Sequence, residues 1–313
     1  PRTEVILEDA KSVISRNSSP DIHFEQSINP HRGCEHGCVY CYARPSHSYL
    51  GLSPGLDFET KIIAKRNVVA VLQRELAARS YVPRPLAVGV NTDCYQPVER
   101  DLQLTRGVLQ TLHDTRHGLA LITKSSLVER DMDLLVPIAK QGLAAVYITV
   151  TTLDAKLARI LEPRAAAPYR RLETIRRLAQ AGIPVGASVA PQIPFINDDM
   201  EQVLQAAWEA GARRAFYVVM RLPHELNELF QTWLQLHYPD RAERVMARIR
   251  DMRGGRDYDS RFATRMKGTG VWADLVRQRF DKATARLGYQ RERYAVDYSA
   301  FRSPSLGGQG RLF

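Results

Sequence analysis

Lysine is scarce in this 313-residue chain, with 8 Lys beside 36 Arg, and cysteine is scarcer still, with four in all. No apolar run approaches the roughly 20 residues that span a bilayer, so a membrane-spanning helix is not expected. The first ten residues carry no basic flank leading into an apolar stretch, so a secretory leader is not expected and a soluble, cytoplasmic protein is. A disulfide framework would spread its cysteines to close long loops, whereas three of these four lie within eight residues, and a reducing cytosol would not keep them oxidised. A disulfide framework is therefore excluded. Disorder is excluded too, because 44% hydrophobic and 25% charged residues is an ordinary globular composition. We find no internal repeat.

What the sequence does have is unevenly placed. The formal charge is +10, and residues 240–313 hold 17 Arg+Lys against 9 Asp+Glu, so most of the excess is C-terminal. Arginine presents a planar fork suited to phosphate. Two readings stay open: a surface that is merely Arg-rich, and a polyanion-binding face around Arg253, Arg256, Arg261 and Arg265.

Apolar strands alternate with amphipathic helices from residue 24 to residue 220. Strands are expected over 24–28, 86–90, 119–123, 145–150, 183–190 and 215–220. Helices are expected over 60–80, 102–113, 127–139, 154–161, 169–181 and 200–210. Such alternation implies a parallel sheet covered by helices, here about six βα units, which suits an open doubly wound sheet or an incomplete barrel. Beyond Leu222 the alternation stops. Residues 226–253 read as helix, Gly254 and Gly255 break it, and residues 303–313 read as a mobile tail. The expected division is a barrel unit over 1–221 and a basic, mainly helical extension over 222–313.

Cys34, Cys38 and Cys41 lie within eight residues, and only Cys94 stands apart. A Cys-x3-Cys-x2-Cys loop can bring three thiolates to three corners of one iron–sulfur cube, with Gly33 and Gly37 permitting the tight turns. Electron-transfer clusters have all four corners held by cysteine. A missing fourth ligand instead leaves one iron open to a small molecule. The alternative is zinc on the three cysteines plus one of His31, His36, His47 or Cys94.

With Tyr40 just before the last cysteine, this loop resembles the signature of the radical S-adenosylmethionine (SAM) superfamily. That resemblance implies a [4Fe–4S] cluster on Cys34, Cys38 and Cys41, with SAM chelated at the open iron and cleaved to a 5′-deoxyadenosyl radical. It also implies a ferredoxin or flavodoxin as electron donor, and a partial (β/α)6 TIM barrel with a basic C-terminal extension. Further motifs at successive strand ends resemble the spore photoproduct lyase-like branch, which includes DNA repair enzymes. They are Asn91-Thr92-Asp93, Thr123-Lys124-Ser125, Thr149-Val150-Thr151-Thr152, Glu162-Pro163-Arg164 and Val189-Ala190-Pro191. The likeness implies that Asn91, Thr92, Asp93, Lys124 and Thr151 hold the methionine end of SAM. It likewise puts Tyr40 and the Ala190 backbone near the adenine.

The lyase's hydrogen-donating cysteine would fall at Val90, so thymine-dimer reversal does not simply carry over. Cys94 is then either a hydrogen donor in the cleft or an ordinary loop cysteine. A nucleic-acid substrate is the leading expectation, against radical chemistry on a small molecule or peptide, or a zinc or redox-sensing nucleic-acid binder. The last residues, Gln309, Gly310, Arg311, Leu312 and Phe313, resemble the peptide by which bacterial repair proteins bind the sliding clamp. The competing reading docks Leu312 and Phe313 on their own domain.

Overall fold

The computed structural model describes residues 2–292, 294 and 298–304. In chain order its strands are β1 (Glu4–Glu8), β2 (Ile14–Arg16), β3 (Gln26–Ile28), β4 (His31–Arg32) and β5 (Lys61–Lys65). These are followed by β6 (Leu86–Val88), β7 (Leu119–Thr123), β8 (Ala144–Thr149), β9 (Val185–Ser188) and β10 (Arg214–Phe216). The helices begin with α1 (Leu56–Thr60), α2 (Val68–Leu76), α3 (Glu99–Leu102), α4 (Leu104–Asp114) and α5 (Met132–Lys140). Then come α6 (Ala155–Leu161), α7 (Pro168–Gln180), α8 (Met200–Ala210), α9 (Leu226–His237), α10 (Pro239–Asp251) and α11 (Gly270–Leu287).

Strands β3, β6, β7, β8, β9 and β10 lie side by side in sequence order and run parallel. Strand β2 pairs antiparallel with β3 at one edge. Helical crossovers separate the parallel strands, which makes the sheet a partial (β/α)6 barrel with a seam between the β10 edge and the β2–β3 edge. The crossover helices follow their apolar spacing. Val68, Val71, Leu72 and Leu76 form the buried face of α2, and Val108, Leu109 and Leu112 that of α4. These side chains fill the main core with Val88, Leu121, Val146 and Ala187 of the sheet, each worth about 1.5–3 kcal/mol for a fully buried Val or Leu.

A second core joins the cysteine loop to the C-terminal helices. Cys38 and Tyr40 pack with Leu157 and Leu161 of α6, Phe230 and Trp233 of α9, and Val245 and Ile249 of α10. The seam is crossed by the segment before α11. Val219 donates its N–H to the Met266 carbonyl, and Arg265 grips both oxygens of Asp21, which precedes β3, at 2.7 Å each.

Two sequence expectations are corrected. Residues 60–80 are not one helix, because Lys61–Lys65 form β5, the middle strand of a small sheet between β1 and β4. Residues 226–253 are two helices, broken at Tyr238 where Pro239 starts α10. Among the described residues no helix is long and apolar enough to cross a membrane.

Candidate active site

The loop between β3 and α1 carries the three clustered cysteines and is held from below by arginine. Arg44 is buried and donates to the carbonyls of Gly37 (3.0 Å), Cys38 (2.9 Å), Pro54 (3.1 Å) and Gly55 (2.9 Å), and to Glu59 (2.6 Å). Arg164, after α6, bonds the Glu35 carbonyl and the other Glu59 oxygen. From the far side, Gln96 accepts from the Glu35 amide at 2.8 Å and donates to the Gly33 carbonyl at 3.2 Å.

Two glycines make this wrapping possible. Gly33 and Gly37 have φ of +80° and +65°. A Cβ on Gly33 would meet the Phe58 carbonyl at 2.9 Å, and one on Gly37 would meet Glu59 Oε2 at 2.6 Å.

The remaining expected residues stand at successive C-terminal strand ends: Asn91 to Asp93 after β6, Lys124 after β7, Thr151 after β8 and Ala190 after β9. Barrel chemistry occurs at this face. Asp93 accepts from the Thr123 hydroxyl (2.7 Å), the Tyr95 amide (2.9 Å) and the Lys124 amide (2.7 Å), and faces His36 Nδ1 at 3.3 Å. Burial pushes its carboxyl up, but His36 and those hydrogen bonds outweigh burial and hold it well below the usual carboxylate range. Thr92 is buried and donates its hydroxyl to the His31 carbonyl at 2.8 Å, while exposed Asn91 gives its amide to Asn29 Oδ1 at 2.9 Å. These three therefore tie the β6 loop to the cysteine loop.

The Lys124 ammonium sits 5.7 Å from the centre of the Tyr40 ring. Its pKa is raised: burial lowers it, and the negative fields of Glu162 and Asp93, with that of Cys38 once its thiol ionises, more than compensate. It is a firm cation. The Tyr40 hydroxyl reaches Glu162, and Thr151 donates to the same Glu162 oxygen at 2.6 Å and lies 3.3 Å from the Ala190 carbonyl. Arg171, completely buried, closes this chain by gripping the other Glu162 oxygen. Asn197 donates to the carbonyls of Thr151 (2.9 Å) and Pro191 (2.8 Å), which fixes the β8 and β9 loops together.

Sequence reasoning singled out Glu162 only as part of a helix lead-in and missed Arg44, Glu59, Arg171 and Asn197 as the frame of the site. Buried polar residues of this kind carry no periodicity signal.

The donor set suits a thiolate-bound iron–sulfur group. As free thiols Cys34 and Cys38 are pushed up by burial, Cys38 to about 12, and the Lys124 charge opposes this at Cys38. A cationic metal group reverses that preference, because bound thiols are deprotonated. A single zinc ion would instead need four donors converging at about 2.0–2.3 Å. Among the described residues no three His, Cys, Asp or Glu side chains, the clustered cysteines included, converge closely enough to hold one metal ion. His36 faces Asp93, and His47 Nε2 lies 3.0 Å from the Lys61 carbonyl.

Cys94 is placed differently from a cleft thiol. It is fully buried in the main core, and a Cβ on Gly89 would come within 2.7 Å of its Sγ. Val90 gives its carbonyl to the Tyr42 hydroxyl.

Of the arginines expected to form a polyanion face, Arg253 and Arg265 are committed inside the fold, while Arg256 and Arg261 are exposed. Arg253 is 1% exposed and donates to the carbonyls of Thr264 (2.9 Å) and Met220 (2.7 Å). Arg261 pairs with Asp259 and Arg265 with Asp21, and only Arg256 of the four is an exposed cation with no ion pair among the described residues. The terminal segment 309–313 lies outside the described residues.

Comparison with known proteins follows this geometry. Residues 28–207 match the profile described as the Radical SAM superfamily. An uncharacterized protein of Mycobacterium tuberculosis is 32% identical over 244 residues, which span 77% of this chain and 71% of that protein. An uncharacterized protein of Methanocaldococcus jannaschii is 27% identical over 242 residues, 77% of this chain and 86% of the other. Among solved structures, a spore photoproduct lyase variant with bound AdoMet and dinucleoside spore photoproduct has a TM-score of 0.57. It is 16% identical and covers 90% of this chain and 78% of its own. A second, the lyase complexed with dinucleoside spore photoproduct, has a TM-score of 0.52 at 17% identity. There the match covers 75% of this chain and 66% of the lyase, so the chain spans a little under two thirds of it. At these identities the likeness is one of fold.

Proposed function

The chain belongs to the radical SAM superfamily, and from that premise we propose that it holds one [4Fe–4S] cluster on Cys34, Cys38 and Cys41 and cleaves S-adenosylmethionine reductively. One observation carries this reading: a single pinned loop bears three thiols at the C-terminal face of the barrel, with the charge of Lys124 reaching Cys38. When bound, the cluster supplies one electron to S-adenosylmethionine, which releases a 5′-deoxyadenosyl radical. Lys124 offers its ammonium to the methionyl carboxylate as a charge-assisted contact. Tyr40, its hydroxyl tied to Glu162, keeps its ring fixed beside the adenine, and the Ala190 carbonyl sits at the same wall. Asn91, Thr92, Asp93 and Thr151 act by holding the loops that frame the bound molecule. The second core keeps water from that side of the loop. Reduction is assigned to a ferredoxin or flavodoxin.

The favoured substrate is nucleic acid, with a damaged or modified base leaving the stack to reach the mouth. Its support is the formal charge of +10 and the fold shared with a lyase solved with dinucleoside spore photoproduct. Cys94 is given no hydrogen-donor role, because its thiol faces the core. The internal commitment of Arg253 and Arg265 favours a second reading, radical chemistry on a small anionic molecule. A clamp contact through residues 309–313 remains part of the first reading.

Anaerobic reconstitution with iron and sulfide, then dithionite and S-adenosylmethionine, tests the core of the proposal. Formation of 5′-deoxyadenosine is expected, and its absence from a fully loaded protein would remove the reading. Crosslinking to single-stranded oligonucleotide during turnover separates the two substrate classes.

A further inference from the structure

Arg221 follows the last parallel strand, at the same C-terminal face as Lys124 and Thr151 and beside the seam. The backbone just before it is fixed, because Met220 donates its N–H to the Gln192 carbonyl at 3.0 Å. Its guanidinium lies 5.1 Å from the centre of the Tyr42 ring, and Tyr42 is the residue next to Cys41. The cysteine loop and the end of β10, far apart in the sheet order, therefore meet through this pair across the seam.

Arg221 forms no ion pair among the described residues, and the one carboxylate whose field it shares is Asp21. Among the same residues its Nε is buried without a hydrogen-bond partner, and Nη1 reaches only Met266 Sδ at 3.3 Å. The nearby acids are spent elsewhere: Asp21 on both nitrogens of Arg265, and Asp259 on Arg261 and Thr264. A second guanidinium, Arg253, is close enough that burial and the Arg221 charge together lower its pKa to about 10. Two guanidiniums, Arg221 and Arg253, thus lie close together beside the seam. Tyr42 is 44% exposed, so a ligand arriving at the seam reaches the pair.

We infer that Arg221, stacked on Tyr42, is the anchor of an anion subsite that holds a phosphate or carboxylate group of the substrate at the seam side of the mouth. The subsite rests on the reading of this mouth as the reaction chamber, and it adds the chemical class that the chamber accepts. An arginine fork presents parallel N–H donors to either oxyanion, and the ring below keeps the fork flat and oriented. Lys124 and Arg221 then divide two anionic groups, the methionyl carboxylate at the first and the substrate at the second.

Calorimetric titration of the reconstituted full chain with thymidine 5′-monophosphate, thymidine, inorganic phosphate and succinate tests the subsite. The monophosphate is expected to bind at least tenfold more tightly than thymidine, and R221Q is expected to erase that difference. Competition by inorganic phosphate identifies a phosphate site, and competition by succinate alone identifies a carboxylate site. Unchanged binding of all four probes in R221Q would overturn the inference, as would a tenfold loss of S-adenosylmethionine affinity with anion binding intact. If R221Q does not fold, arginine-selective labelling of the unmodified chain with phenylglyoxal decides. Phosphate or succinate should protect Arg221, and labelling at an equal rate with and without both anions overturns the proposal. Failure of the radical reading is read separately, since a chain that binds anions through Arg221 but forms no 5′-deoxyadenosine loses the chemistry and keeps the subsite.

Discussion

Tyr40 donates its hydroxyl proton to Glu162, a carboxylate that is itself fully buried and gripped by Arg171. The residue before the last clustered cysteine is thereby tied to a charge pair anchored on α7, and Thr151 joins at the same oxygen. The site wall and the barrel wall are one hydrogen-bonded unit. Glu162→Gln removes the negative charge and leaves the Arg171 guanidinium buried without a counter-ion, which costs on the order of 3–5 kcal/mol. A large drop in melting temperature is expected, checked by circular dichroism on wild type and variant. A shift below 2 °C would show that Arg171 finds another partner.

The same pair predicts a pH dependence. Burial raises the Glu162 carboxyl, but the charges of Arg171 and Lys124 overcome it and lower it to about 2, below the usual 4.5 of a glutamate. A carboxyl depressed on folding stabilises the protein fully above its unfolded value, and that stabilisation is lost as pH falls through the folded value. Stability should therefore decline as pH drops from about 5 toward 2, and Glu162→Gln should flatten this acid limb. Urea midpoints across that range, compared between the two proteins, give the measurement. Parallel acid limbs would assign the decline to other carboxylates.

Much of the barrel was legible in the sequence because its strands are short apolar runs that pair with their neighbours in chain order. The runs at Leu119–Thr123 and Ala144–Thr149 illustrate this, with Leu121 facing Val146 across the ladder. Strand β5 was not legible. Ile62 and Ile63 fit a helical face as well as a strand, and only the pairing of Ile63 with Ile6 on β1 and Arg32 on β4 decides between them. The site was read from residue types at strand ends, which located Lys124 and the cysteines. What those types could not reveal was commitment: Asp93 and Thr92 spend their polar atoms on loops, Cys94 on the core, and Arg253 on two carbonyls.

That distinction separates the cysteines experimentally. Cys34→Ala, Cys38→Ala and Cys41→Ala should each lose most iron and sulfide after reconstitution, because a cube held by two thiolates is labile. Cys94→Ala should keep both in full and lower stability by about 1 kcal/mol, the usual cost of a small buried truncation. Iron and sulfide analysis with melting curves tests both halves. Equal metal loss in all four variants would require Cys94 to reach the cluster.

The arginines divide in the same manner. Arg253→Ala strands the carbonyls of Met220 and Thr264 and empties a buried space, so a destabilisation of roughly 2–3 kcal/mol is expected. Arg256 is exposed and forms no ion pair among the described residues, so Arg256→Gln should leave stability within about 0.5 kcal/mol. If nucleic acid binds this region, the Arg256 variant should reduce the slope of log affinity against log salt by about one. Filter binding at several salt concentrations reads that slope, and an unchanged slope removes Arg256 from the contact.

Arg44 offers the sharpest test of whether the cysteine loop is preformed. Its guanidinium satisfies four backbone carbonyls and one Glu59 oxygen at once, two of those carbonyls belonging to Gly37 and Cys38. A planar group with five donors can do this, and a lysine ammonium, with three donors on one atom, cannot. Arg44→Lys therefore keeps the charge opposite Glu59 while leaving at least two buried carbonyls without a donor, at roughly 1–3 kcal/mol each. The loop should loosen before the barrel does, since β6 to β10 make no use of Arg44. Hydrogen exchange should show faster labelling over residues 34–44 in the metal-free variant, with the β7 and β8 amides unchanged. The reconstituted variant should also lose its visible absorbance to a chelator several-fold faster than wild type. Wild-type exchange rates in the loop, together with unchanged chelator kinetics, would mean that the cluster itself orders the loop and that Arg44 contributes only charge.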